Sequence, residues 1–194
     1  VMTKMAEKGL KFDAIITDPP YGTTACKWDT IIPFDKMWNC INNLRRDSAS
    51  VVLFGSQPFT SELIHSNIQS FKYEIIWEKC KPSNFMLAKK QILKYHENIL
   101  VFYDKQCIFN PQKFESKPMN TVYKSGGQKA TGIIGVHMDD IDNTDINRTD
   151  RYPKSILKID EVINNSIEKS KGNHPTQKPI KLMEYLIKTY TNEG

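Results

Sequence analysis

Four stretches of the chain are apolar and β-branched over the length of a buried strand. They are Phe12 to Thr17, Ser50 to Gly55, Tyr73 to Glu78 and Asn98 to Tyr103. Between the first two, Phe34, Met37, Trp38, Ile41 and Leu44 recur at helical spacing, and Arg45 and Arg46 follow where cations suit a helix C-terminus. Phe59 to Ile68 predicts a second helix after the turn Ser56-Gln57-Pro58, and Met2, Met5, Ala6 and Leu10 read as the tail of an earlier one. Strand alternating with helix is the rhythm of an α/β, doubly wound sheet. From Asp104 to Asp150 the periodicity dissolves, and Arg151 to Leu157 reads as a return to the core. A last helix follows Pro179, with Ile180, Met183, Leu186, Ile187 and Tyr190 on one face.

Composition narrows the class. The chain has 194 residues, enough for one domain with a sizeable core, and its apolar and charged fractions are those of a soluble globular protein. A net charge of +5 is in the direction expected of a nucleic-acid partner. Cys26, Cys40, Cys80 and Cys107 show no Cys-x-x-Cys pairing and read as reduced thiols, which points to a cytoplasmic protein. No apolar run is long enough to span a membrane, so none is expected as a partner. Asp139, Asp140, Asp142, Asp145 and Asp150 lack the central Gly and closing Glu of a calcium loop, and no metal site is read.

The first strand runs straight into Asp18-Pro19-Pro20-Tyr21-Gly22. Both prolines have φ fixed, and Asp18 is held extended by the proline after it. A carboxylate, a backbone carbonyl and an aromatic ring are therefore aimed with little freedom, at the strand end where open α/β sheets bind ligands. A planar base with an exocyclic amine suits this set: its N–H bonds go to Asp18 and the Pro19 carbonyl, and its ring to Tyr21. The bland alternative is a proline-bounded turn with a solvated Asp.

This motif resembles the catalytic loop of the amino-group DNA methyltransferases, which use S-adenosylmethionine to methylate the exocyclic nitrogen of adenine or cytosine. His174-Pro175-Thr176-Gln177-Lys178-Pro179 and its helix resemble the segment before the cofactor loop in the circularly permuted, β-group members. The resemblance implies a Rossmann-like methyltransferase sheet, of which this chain supplies the region of strands 4 to 7, with an inserted irregular recognition region. Residues 1–103 would be the catalytic α/β half, 104–151 the target-recognition region, and 152–194 the return to the core and the cofactor-flanking helix. No Gly-x-Gly-x-x-Gly occurs, so the sequence reads as a fragment ending before the glycine-rich cofactor loop. Asp at position 18 resembles the adenine-modifying members.

By that resemblance, Asp18, Pro19, Pro20 and Tyr21 are the catalytic residues. Asp18, Pro175, Thr176 and Lys178 border S-adenosylmethionine. Nucleic-acid contacts are expected from Trp28, which equally suits closing its loop over the core. They are expected too from the basic, aromatic loop after the third strand, at Lys79, Lys81, Ser83, Asn84, Phe85, Lys89 and Lys90. His96 reads as structural. The implied partner is double-stranded DNA, with a homodimer and a cognate restriction endonuclease left open. Three alternatives also stay open: a cytosine-amino methyltransferase, a protein or RNA methyltransferase with a similar proline-rich loop, and a silent nucleic-acid-binding remnant.

Overall fold

The computed structural model describes residues 2–24, 26–116, 149–159 and 177–193. The elements in the first of two compact units are α1 (Met2–Glu7), β1 (Phe12–Thr17), α2 (Phe34–Leu44), β2 (Arg45–Gly55), α3 (Phe59–Ser66), β3 (Phe71–Glu78), β4 (His96–Phe102), β7 (Ile156–Lys158) and α4 (Ile180–Tyr190). The second unit, Gln112–Pro153, holds the antiparallel pair β5 (Phe114–Glu115) and β6 (Asp150–Arg151). Within it Lys113 pairs with Asp150 at 2.7 Å and lies over the Tyr152 ring.

The sheet runs in the order β1-β2-β4-β3-β7. β1 and β2 are parallel, as are β3 and β7, whereas β4 is antiparallel to both of its neighbours. Helices cover both faces, so the central strands are buried on either side and read as unbroken apolar runs. Alternation divides them. Val51 and Leu53 of β2, with Leu100 and Phe102 of β4, pack on Trp38 and Ile41 of α2 and Phe59 and Leu63 of α3. Val52, Phe54, Ile99 and Val101 face the other way, onto Leu182, Leu186 and Tyr190 of α4. Burying these side chains contributes roughly 1.5–3 kcal/mol each. Every one of the eight strand residues is fully inaccessible.

Three expectations shift. α2 closes at Leu44, and Arg45 is already extended at φ −84°, ψ 149°. Arg45 and Arg46 thus open β2 and pair across strands with Asp104 and, at 2.8 Å, Asp13. In α4 the core face is Leu182, Leu186, Thr189 and Tyr190, whereas Ile180 and Ile187 are exposed. Pro179 stands one position before α4 as its N-cap. No helix among the described residues is long and apolar enough to cross a membrane.

Candidate active site

Because β4 alone runs backwards, its first residues lie at the same sheet edge as the last residues of β1, β2 and β3. There a cavity of about 720 Å³ opens. Its lining includes the whole of Thr17 to Tyr21, Trp28, Asp29, Phe54, Glu97, Lys178, Ile180 and Met183. That volume lies within the range of small-molecule sites.

The loop after β1 is built around one carboxylate. Asp29, only 8% exposed, accepts hydrogen bonds from four successive backbone N–H groups. Its Oδ1 takes Tyr21 and Gly22 at 2.8 and 2.9 Å, and its Oδ2 takes Thr23 and Thr24 at 2.9 and 2.7 Å. Burial alone pushes the Asp29 carboxyl up, but the hydrogen bonds from Gly22, Thr24 and Tyr21 outweigh it and hold it below the ordinary carboxylate range. The turn that aligns these donors passes through Gly22 at φ +67°, where a Cβ would also stand 2.8 Å from Ile31 Cγ1. Only glycine fits.

Asp18 follows β1 with its side chain 28% exposed. Tyr21 donates its hydroxyl to Asp18 Oδ1 at 2.5 Å, and Lys178 Nζ stands 3.1 Å from Oδ2. A carboxylate offers about four lone-pair directions, so both oxygens retain capacity to accept. The Tyr21 ring packs on Phe59, with centroids 5.3 Å apart and planes inclined by 30°. Burial first, and then the negative charge of Asp18, push its phenol far above the ordinary tyrosine value. Tyr21 therefore acts as a neutral donor to Asp18 near neutral pH. Pro19 is buried, fixing the loop backbone beneath the cavity.

The residue with no motif to announce it is Glu97. Its Oε2 binds Lys178 at 2.7 Å and its Oε1 binds Lys79 at 2.8 Å. All three side chains are at most 16% exposed. Burial raises the Glu97 carboxyl, but the Lys178 and Lys79 charges overcome this and leave it below the ordinary range. Lys178 also lies over the Phe54 ring, 4.8 Å from its centroid. Asp18, Glu97, Lys178 and Lys79 thus form a balanced, continuous charge network. Its only sequence signal was an acid placed directly before the buried run of β4.

The structure brings Asp18, Pro19, Pro20, Tyr21, Trp28 and Lys178 to one cavity. Pro175 and Thr176 lie outside the described residues. Four of the named side chains make contacts within the protein. Lys79 turns inward onto Glu97 at 2.8 Å. Ser83 accepts from Lys79 Nζ at 3.2 Å. Asn84 is bound by the main chain of its own loop, donating to the Ile92 carbonyl at 3.1 Å and accepting from Lys94 N at 2.7 Å. The Lys178 ammonium is engaged by Asp18 and Glu97 at the cavity wall. Lys81, Phe85, Lys89 and Lys90 do stand exposed.

Comparison with known proteins identifies a family and a shared fold. A family model described as DNA methylase, of the N6/N4 type, matches residues 12–194. No curated protein sequence matches the chain. Among solved structures, the M1.HpyAVI–SAM complex is similar at 24% identity and TM-score 0.55, covering 98% of this chain and 72% of that one. M1.HpyAVI in a second structure matches at 21% identity and TM-score 0.53, over 98% and 71%. The PvuII DNA methyltransferase, cytosine-N4-specific, matches at 13% identity and TM-score 0.56, over 94% and 64%. At these identities the structural matches establish a shared fold, that of the Rossmann-like methyltransferases.

Proposed function

Since the chain belongs to the DNA methylase family of the N6/N4 type, we propose that it methylates the exocyclic amino group of adenine extruded from duplex DNA. The family uses S-adenosylmethionine. The observation that carries this reading is the position of Asp18-Pro19-Pro20-Tyr21 across a cavity open enough to admit a base.

The cavity also suits the cofactor. Phe54, Ile180 and Met183 would offer an apolar wall for its adenosyl part, and the Asp18 carboxylate would stand beside them. When bound, S-adenosylmethionine supplies an electrophilic methyl group on a sulfonium sulfur. What remains is for the protein to make the amine nucleophilic.

An exocyclic amine is a poor nucleophile because its lone pair is delocalised into the ring. Asp18 and the Pro19 carbonyl accept its two N–H bonds and draw the lone pair back onto nitrogen. As that nitrogen becomes positive the contacts strengthen, so they favour the transition state over the ground state. Tyr21, braced by Phe59 behind and Asp29 below, holds the base plane and supplies a proximity effect. Lys178, 3.1 Å from Asp18 Oδ2, holds the rotamer of that carboxylate. Asp18 need not be a strong base, because the proton on the methylated, cationic nitrogen is acidic.

Adenine is favoured by Asp at position 18, and the order of the Asp18 loop before the His174–Pro179 segment supports a permuted, β-group arrangement. The irregular region between residues 104 and 151 is the natural reader of DNA sequence in this reading. Digesting DNA after incubation with the protein and S-adenosylmethionine, and quantifying methylated nucleosides by mass spectrometry, tests it. N6-methyladenine is expected. N4-methylcytosine would reassign the base, and no methylated nucleoside would favour a silent nucleic-acid-binding chain.

A further inference from the structure

The loop from Lys79 to Tyr95 holds large apolar side chains in water. Met86 is 94% exposed, Ile92 93% and Phe85 70%. Such a patch on a folded domain marks a contact surface. The loop is nonetheless well braced. Asn84 ties its two arms together, Ser83 N donates to the Lys94 carbonyl at 3.0 Å, and a 3₁₀ turn over Phe85–Leu87 sets the tip. Both stems are anchored at the catalytic edge: Lys79 on Glu97, and Lys94 on Ser56 Oγ at 2.5 Å. A rigid apolar tip is thus coupled to the cavity wall itself.

Charge identifies what the tip meets. Residues 79–95 include Lys79, Lys81, Lys89, Lys90 and Lys94 and no acid. Lys81, Lys89 and Lys90 are exposed and have no acidic partner among the described residues. The partner must therefore be polyanionic outside and apolar within. A base-paired duplex meets both demands: phosphates flank a stack whose interior opens when one nucleotide leaves it. An anionic bilayer shares this chemistry, but nothing in it would require stems fixed to a base-sized cavity.

We infer that this loop is a DNA wedge, with Met86 and Ile92 entering the base stack where the target nucleotide has swung out and Lys81, Lys89 and Lys90 gripping the flanking phosphates. The inference rests on the DNA methylase reading above. The wedge fills the gap, slows the return of the base, and so raises the fraction of time the amine spends before Asp18.

The test uses two duplexes carrying the methylated site, one with the target base paired and one with it opposite an abasic position, already unpaired. Met86→Ala/Ile92→Ala is expected to lower kcat/KM roughly 10- to 100-fold on the paired duplex. On the unpaired duplex it should stay within about threefold of the unaltered protein. Met86→Leu/Ile92→Leu, which keeps the apolar volume, should be close to normal on both. Equal rates for the alanine variant and the unaltered protein on the paired duplex would overturn the wedge, as would equal losses on both duplexes. So would unchanged transfer accompanied by lost binding to phosphatidylglycerol vesicles, or by lost self-association in sedimentation. If the unaltered protein methylated neither duplex, the DNA reading itself would fail, and the wedge with it.

Discussion

Glu97→Gln removes one negative charge from between two lysines while preserving shape. In the native protein Lys178 and Lys79 bind opposite oxygens of Glu97 at 2.7 and 2.8 Å, with side chains 11% and 16% exposed. The substitution leaves two partly desolvated ammonium groups to share one neutral amide oxygen, with Asp18 3.1 Å from Lys178 and the Ser83 hydroxyl beside Lys79 as the remaining polar partners. Removing one partner of a buried pair costs about 3 kcal/mol. For a chain of this length that corresponds to a fall in Tm of roughly 6–12 °C. Circular dichroism melts at neutral pH measure it directly. The pH dependence has a definite sign. The Glu97 carboxyl lies below its ordinary range in the folded protein, so its contribution is complete above that range and disappears as pH falls through the lowered value. The gap in Tm between native protein and variant should therefore be widest near neutrality and close on acidification. Adding Lys79→Met to Glu97→Gln should recover part of the loss, because one stranded charge is then gone. A variant melting within about 1 °C of the native protein at neutral pH would show that the network does not hold the site, on the scale that exposed pairs contribute.

Other perturbations have equally definite outcomes. Asp29→Asn turns an acceptor toward four N–H groups into a mixed donor and acceptor, which should cost about 2–3 kcal/mol in thermal melts and lower methyl transfer by loosening the Tyr21 backbone. Full retention of both would mean the loop holds its shape without that carboxylate. Ser50 is fully buried, and its hydroxyl has no hydrogen-bond partner among the described residues. Ser50→Ala should raise stability by about 1 kcal/mol, and a lower Tm would point to an unseen partner.

Much of this architecture is legible in the sequence because the central strands are covered on both faces. Val51 to Phe54 and Ile99 to Phe102 could only be buried runs, and Met37, Trp38, Ile41 and Leu44 meet the core as their spacing implies. The Asp18 loop is legible for a different reason, since paired prolines constrain the backbone whatever surrounds them. Strand direction leaves no such imprint. Nothing in His96-Glu97-Asn98 says that β4 runs against its neighbours, yet that reversal is what delivers Glu97 to the cavity edge, where it pairs with Lys79 and Lys178. The α4 helix shows a related limit. Periodicity cannot separate a core face from a cavity wall: Ile180 lines the cavity, Met183 lines it while packing on the core, and Leu182 and Leu186 are buried in the core. Asn84 illustrates the last: a polar side chain in a basic loop suits a ligand or the loop's own main chain, and only the geometry decides.

The central claim is that Asp18 accepts the target amine's N–H and thereby makes it nucleophilic. Asp18→Ala measured by methyl transfer alongside DNA affinity, with a melt to verify folding, tests this most directly. Transfer is expected to fall roughly 100-fold or more, while the dissociation constant for duplex DNA, expected to depend mainly on phosphate contacts, should stay within about threefold. Undiminished transfer by the folded variant would contradict it.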